Sequence, residues 1–165
     1  MKLKLFIFLF IFVGIFTFYG CKPKVEEVYL TQLTPVVKKN SLIEPDFNPI
    51  VFGNVSNVYG KLYANGIFAH PNSLLTFDLN GEYKTLKVEI GLVGTSTCGD
   101  GAIFIIILDG NEAYRSQTMH NGDLPIPVEI DITGAQQLTL ITDAGPNGSL
   151  DCDHTIWGDP LLIKN

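Results

Sequence analysis

The chain has 165 residues, a formal net charge of −6 and a sequence pI of about 4.9. With 46% hydrophobic and 17% charged residues, it can form one domain with a sizeable core but hardly two, and sixteen Gly and nine Pro favour a turn-rich all-β fold. Its acidic balance argues against nucleic acid as a partner, because an acidic surface repels phosphate backbones.

The N-terminal segment 1–20 has the pattern of an export signal. Lys2 and Lys4 precede an apolar run over 5–18, which is shorter than the roughly 20 residues that cross a bilayer. The run ends at Gly20 and Cys21, which resemble the end of a bacterial lipobox. We therefore expect a lipoprotein signal peptide, lipidation of Cys21 and anchoring to a membrane of the bacterial cell envelope. An uncleaved anchor and plain secretion remain open.

Residues 21–46 are expected to be a lipidated N-terminus and tether. Lysines, glutamates and scattered prolines occur there without a sustained period of 3.6 or 2. One exception is the apolar stretch 28–33, which could add an edge strand. The folded domain is expected over 47–165.

Alternating apolar residues and turn signals predict strands along that domain. We place them near 50–52, 57–63, 73–79, 84–92, 102–109, 112–117, 126–132, 137–142 and 154–163. No window of ten residues or more has helical periodicity. The segment 103–108 is apolar at every position, which favours a central strand or a strand packed beneath a loop.

Antiparallel strands across a sandwich make successive connections alternate between its two ends. The short turns 80–82, 109–111 and 133–136 should then share one end. The long polar segments 64–72, 93–101, 118–125 and 143–153 should share the other, with all three His in or beside them. Loops grouped on a rigid scaffold are where binding residues concentrate.

The cysteines are consistent with this geometry. Cys21 is assigned to lipidation, which leaves Cys98 and Cys152 as an even pair in an exported protein, where disulfides persist. Both lie in segments assigned to the same end, so we predict that they pair. A Cys/His metal site with His154 is the rival hypothesis, although the usual ligand spacing is absent.

The segment 143–157 holds the densest set of chemically useful side chains, and its candidate residues, like His70, each have two interpretations. His70 is either a loop His bonded to backbone or a ligand contact. Asp153 and His154 either brace the last strand or recognise sugar. Trp157, the only Trp, either packs in the core or stacks on a sugar.

The acids at the same end allow a metal. Asp100, Asp143, Asp151 and Asp153 are either solvated loop acids or oxygen ligands for a structural Ca²⁺. No cofactor is otherwise expected. Carboxylate pairs can hydrolyse glycosides, but the sequence has no GxSxG, HExxH or phosphate-binding Gly loop, so we expect no enzyme.

Residues from about 57 to 163 resemble the NPCBM carbohydrate-binding module, whose members include carbohydrate-binding module family 51. The matching segments, in order, are 60–70, 75–84, 101–104, 108–111, 128–134, 138–140, 142–145 and 153–159. The resemblance implies a galactose-binding-like jelly-roll β-sandwich of two antiparallel sheets. It also implies binding of glycans, including galactose-containing ones, without catalysis.

Two functional hypotheses follow. The first is a surface lipoprotein that binds carbohydrate at the long-loop end; its candidate residues are His70, Asp100, Asp143, Asp153, His154 and Trp157. The second is an envelope lipoprotein that uses the sandwich to bind a protein partner or to support an assembly. A flat apolar patch, for instance around Phe52, Tyr59 and Tyr63, would favour the second.

Overall fold

A computed structural model describes residues 25–39, 50–57, 59–93, 99–146, 148 and 150–165. The signal peptide, Cys21 and Cys98 lie outside them. Within the described residues the fold is a β-sandwich of two antiparallel sheets, as expected, and Leu30–Gln32 form a 3-10 turn. No helix in this part of the chain is long and apolar enough to cross a membrane.

The first sheet has the strand order β3-β4-β11-β6-β9, with β1 beside the second half of β11. Its strands are β1 (Glu27–Tyr29), β3 (Val51–Ser56), β4 (Leu62–Ala69), β6 (Tyr83–Leu92), β9 (Ile126–Asp131) and β11 (Thr155–Lys164). The second sheet has the order β2-β5-β10-β7-β8. Its strands are β2 (Val37–Lys39), β5 (Ser73–Asp78), β7 (Ala102–Leu108), β8 (Asn111–Arg115) and β10 (Gln137–Ala144).

The core lies between the sheets and is filled by alternate residues of their strands. Leu86 and Ile90 of β6, and Phe104 and Ile106 of β7, are fully buried. Ile105 is also buried, at 5% exposure, although its neighbours in β7 face the core. Ile103 and Ile107, on the same face as Ile105, are only half-buried, so the strand predicted over 103–108 is covered on both faces at Ile105 alone.

The predicted tether contains part of the sandwich. β1 pairs with β11, β2 pairs with β5, and Leu30 between them is fully buried in the core. The stretch 28–33 adds only a short strand before its 3-10 turn. The folded unit therefore begins some twenty residues before the predicted boundary at 47, because a few apolar side chains suffice to anchor short edge strands.

The strand predicted over 57–63 is misplaced. The Asn57 side chain accepts hydrogen bonds from the backbone N–H groups of Tyr59 and Lys61 at 2.9 and 3.0 Å, which closes a turn over 57–61. β4 then runs through 64–69, which had been assigned to a loop. Only 70–72 connect it to β5.

Strand β11 changes partners along one edge at a bulge. Trp157 pairs with Ile67 of β4, whereas Leu161 pairs with Tyr29 of β1, and the register to β6 shifts between Gly158 and Leu161. Asp159 lies in the bulge with φ 44°. Its carboxylate accepts a hydrogen bond from the backbone N–H of Asn65 at 2.8 Å, which joins β4 to β11 where their ladder ends.

Candidate functional site

The long connections meet at one end of the sandwich, as predicted, and we call this the loop end. Its described parts are 70–72, 99–101, 116–125, 145–146, 148 and 150–154. The backbone N–H of Val93 donates to the carbonyl of His154 at 2.8 Å, and Ala102 and Met119 form a β-bridge. The short turns lie at the opposite end, where the N–H of Asp109 donates to the carbonyl of Gln137 at 3.1 Å.

A buried carboxyl organises the loop end. Asp153 has no solvent exposure, and its Oδ1 accepts a hydrogen bond from the backbone N–H of Gly101 at 3.0 Å. Burial raises the pKa of Asp153, and the neighbouring charge of Asp100 raises it further, whereas the Gly101 hydrogen bond lowers it. The carboxyl groups of Asp100 and Asp153 therefore lie close together, and we call them the acidic pair.

Two glycines allow the loops to close around this pair. A Cβ at Gly99 would lie 2.4 Å from Asp153 Oδ1, and one at Gly145 would lie 2.8 Å from Asp100 Oδ2. Backbone from two different loops approaches the carboxyl groups because neither glycine has a side chain.

Two histidine rings lie against each other at the loop end. The rings of His70 and His154 are 5.3 Å apart at 67°, and Phe68 is 5.6 Å from His154. His70 is buried, with 4% exposure, whereas His154 is exposed. Burial lowers the pKa of His70, and the charge of His154 adds to this, while Asp151 opposes it. His154 is thus the accessible member of the pair.

Two predicted site residues lie elsewhere. Trp157 is 1% exposed, its ring packs edge-on against Phe104 at 5.0 Å, and its N–H donates to Thr142 at 3.3 Å. The interpretation of Trp157 as a stacking platform is therefore corrected to core packing, because neither ring face is accessible. Asp143 is half-buried in β10, on the outer face of the second sheet, where its charge helps to raise the pKa of Arg115.

Comparison with known proteins decides the family. The family model described as the NPCBM/NEW2 domain matches residues 26–163. The chain belongs to the NPCBM/NEW2 domain family. The match begins at Glu26, so it includes β1 and β2. No curated protein matches the chain.

Solved structures share the fold of this NPCBM domain. A CBM51 module from Clostridium perfringens GH95, solved in complex with methyl-galactose, has a TM-score of 0.69 and 22% identity, with 83% of this chain and 99% of that chain covered. The structure of the CBM51-2 and INT domains of Clostridium perfringens ZmpB, solved with GlcNAc, has a TM-score of 0.70 and 17% identity. The match covers 84% of this chain and 32% of that chain.

The disulfide and the metal remain predictions for this NPCBM domain. Cys152 carries a disulfide-bonded sulfur, but Cys98 lies outside the described residues, so the pairing of these two residues is still a prediction. Among the described residues, no group of three or more His, Cys, Asp or Glu is arranged to hold a metal ion.

The flat apolar patch that would favour a protein partner does not form around Phe52, Tyr59 and Tyr63. A register shift between Gly53 and Val55 places Phe52 against the main core, whereas Tyr63 packs with Val55 in a separate cluster. Tyr63 is instead part of a cleft on the outer face of the first sheet, which has polar and apolar lining residues and was not predicted from the sequence. The alternating charged residues of β6, Lys87 and Glu89, were the available signal.

Proposed function

We propose that this NPCBM domain is a non-catalytic glycan-binding module that binds carbohydrate at the loop end. The observation that carries the proposal is the convergence of Asp100, His154 and their buried neighbours at one end of a sandwich of this family. The methyl-galactose and GlcNAc complexes of its structural relatives support hexoses, including galactose, as ligands.

The accessible and the buried residues have different roles in this proposal. His154 is exposed beside Phe68, so it offers a ring nitrogen for hydrogen bonding and an adjacent apolar surface. Asp100 is half-buried and its Oδ1 is enclosed, so Oδ2 is the carboxylate oxygen that it supplies. Asp153 and His70 are buried, and they position the loops that carry the contact residues.

A glycan-array screen of 22–165, a segment that contains every described strand, tests the proposal. We expect a defined galactose-containing or related glycan to bind, and His154→Ala and Asp100→Ala to abolish binding in folded protein. Glu27→Gln, on exposed β1, is the control that retains binding. Parallel arrays with and without Ca²⁺ test the predicted metal. Absence of binding to every glycan on the array, by wild-type protein shown to be folded, would contradict the proposal.

We further propose that lipidation of Cys21 holds the module at the bacterial cell envelope. Support comes from the basic start, the apolar run and Gly20-Cys21 of the sequence. Cys21→Ser should release the protein from membranes in cell fractionation, because the acyl anchor can no longer be attached. Membrane retention of that variant would instead indicate an uncleaved apolar anchor.

A further inference from the structure

A cleft of about 310 Å³ lies on the outer face of the first sheet. Strands β1, β6, β9 and β11 form it, together with the turn before β4. Its polar lining includes Tyr29, Lys61, Lys87, Glu89, Glu129 and Asp159. Small-molecule sites have volumes of about 300–1,000 Å³, so this cleft suits a ligand of one or two rings.

Backbone geometry opens the cleft. The bulge between Gly158 and Leu161 interrupts β11, and Gly158 leaves room for the ring of Tyr63 to lie across the strand. A Cβ at Gly158 would be 2.4 Å from Cε1 of that ring. The cleft is therefore built on the sheet, and the turn before β4 adds Lys61 to it.

Glu89 is held in a fixed orientation at the centre of the cleft. Its Oε1 accepts a hydrogen bond from Lys61 and its Oε2 one from Tyr63, both at 2.6 Å. Burial would raise the pKa of Glu89, but the hydrogen bonds from Lys61 and Tyr63 outweigh it and lower the pKa below its usual range. The carboxylate therefore stays ionised and oriented before any ligand arrives.

Both members of the Lys61–Glu89 ion pair keep hydrogen-bonding capacity towards the cleft. The Glu89 side chain is 32% exposed and that of Lys61 is 52% exposed. A carboxylate has about four lone-pair sites and an ammonium three donors, and the two bonds at Glu89 use only part of this capacity. An acceptor and a donor thus stand side by side, spaced to meet two neighbouring hydroxyl groups.

We propose that this cleft is a second binding site, which takes one neutral sugar unit through adjacent hydroxyl groups that bridge Lys61 and Glu89. Lys87 and Glu129 form a second ion pair at 3.2 Å, and Asp159 adds a further acid, so the lining favours neutral hydroxyl-rich ligands over anions. Leu161 provides an apolar contact for the C–H face of the ring.

Titration of ¹⁵N-labelled 22–165 with methyl glucoside, methyl mannoside and methyl xyloside, followed by NMR, tests the site. We expect at least one glycoside to shift the amides of Lys87, Glu89 and Gly158 saturably. Glu89→Gln and Lys61→Met should each weaken this response about tenfold, as expected for loss of a hydrogen bond to a charged group. Lys84→Met, also on β6, is the matched control that leaves it unchanged.

Variants at each site distinguish binding at the cleft from binding at the loop end. His154→Ala should leave the cleft affinity unchanged, whatever it does to the loop end. Cleft amides that stay unshifted in folded wild-type protein overturn the second site, even if loop-end amides respond and support the proposed function. Equal affinities of wild type and Glu89→Gln, or an equal response to sodium acetate, also overturn it.

Discussion

The phenol of Tyr63 donates a hydrogen bond of 2.6 Å to Glu89, across the strand that lies between them. Tyr63 belongs to β4 and Glu89 to β6, and Gly158 of β11 lies directly opposite Glu89 in the ladder. Asn57 donates to the same phenol oxygen at 3.3 Å. One side-chain network thus links the turn before β4 to β4 itself and, across β11, to β6.

Replacing Tyr63 with Phe should destabilise the domain. The change removes the donor to Glu89 Oε2 while it keeps the buried ring, so we expect the free energy of unfolding to fall by about 1–2 kcal/mol. The fluorescence of Trp157, the only Trp, can follow chemical unfolding. Tyr114→Phe is the control, because Tyr114 is half-buried in β8 and makes no hydroxyl hydrogen bond within the described residues. Equal stability losses in both variants would contradict the role of the Tyr63 hydrogen bond.

Replacing Gly158 with Ala should displace the ring of Tyr63. The new Cβ would approach ring atoms to 2.4–2.8 Å, so the ring or the strand must move, at a cost of about 1–3 kcal/mol of unfolding free energy. Gly91→Ala is the matched control in neighbouring β6: its Cβ would meet Pro125 at 3.6 Å, an ordinary contact, so stability should hardly change.

A double-mutant cycle checks the cause of the Gly158 effect. Adding Tyr63→Leu to Gly158→Ala should recover part of the loss, because the smaller side chain leaves room for the methyl group. Strictly additive losses in the double variant would show that the ring is not what the new methyl group displaces.

Replacing Asp153 with Asn should change how stability depends on pH. Burial raises the folded-state pKa of Asp153 above its unfolded value of about 3.9, so its contribution is fully present below about pH 4 and is lost as pH rises through the folded pKa. Asn does not titrate and can still accept the hydrogen bond from Gly101. The stability of the variant relative to wild type should therefore rise from pH 4 to pH 7.

An exposed aspartate supplies a control of opposite sign. Hydrogen bonds from Thr133 lower the pKa of Asp131, so wild-type protein gains stability there as pH rises. The relative stability of Asp131→Asn should accordingly fall as pH rises towards about 4, and should change little between about pH 5 and pH 7. Denaturant titrations of the three proteins give both differences, and the same trend in both variants would contradict the assignment for Asp153.

The sandwich and its loop end could be predicted from the sequence because both depend on patterns among residues that are close together along the chain. Alternation along β6 and β10, and turns such as Asp109-Gly110, where both residues have positive φ, are local signals. The grouping of the His-bearing loops then follows from antiparallel order alone.

The features that the sequence analysis missed depend on long-range contacts. Nothing local shows that three residues at Glu27–Tyr29 pair with the far end of β11. The Asn57 turn is the exception, since its hydrogen bonds to Tyr59 and Lys61 are local and Asn57 itself was the available signal. The cleft depends on the bulge after Gly158, where the pairing of β11 with β6 shifts register. This shift is a property of the strand pairing and has no signal in β11 alone. Similarly, β10 extends to Ala144, two residues further than predicted. Asp143 is therefore a strand residue, and the alternation of side chains along β10 places its carboxylate on the outer face of the sheet.

Replacing Trp157 with Phe should lower stability without removing glycan binding. The indole fills the core against Phe104 and donates to Thr142, so a smaller ring leaves a cavity and an unsatisfied acceptor, at a cost of about 2 kcal/mol. Far-UV circular dichroism measures the loss, since the variant has no Trp. His154→Ala is the complementary variant: it should change unfolding by less than about 0.5 kcal/mol, as an exposed residue, while it abolishes glycan binding. Glycan binding that weakens equally in both folded variants would return Trp157 to the candidate binding residues.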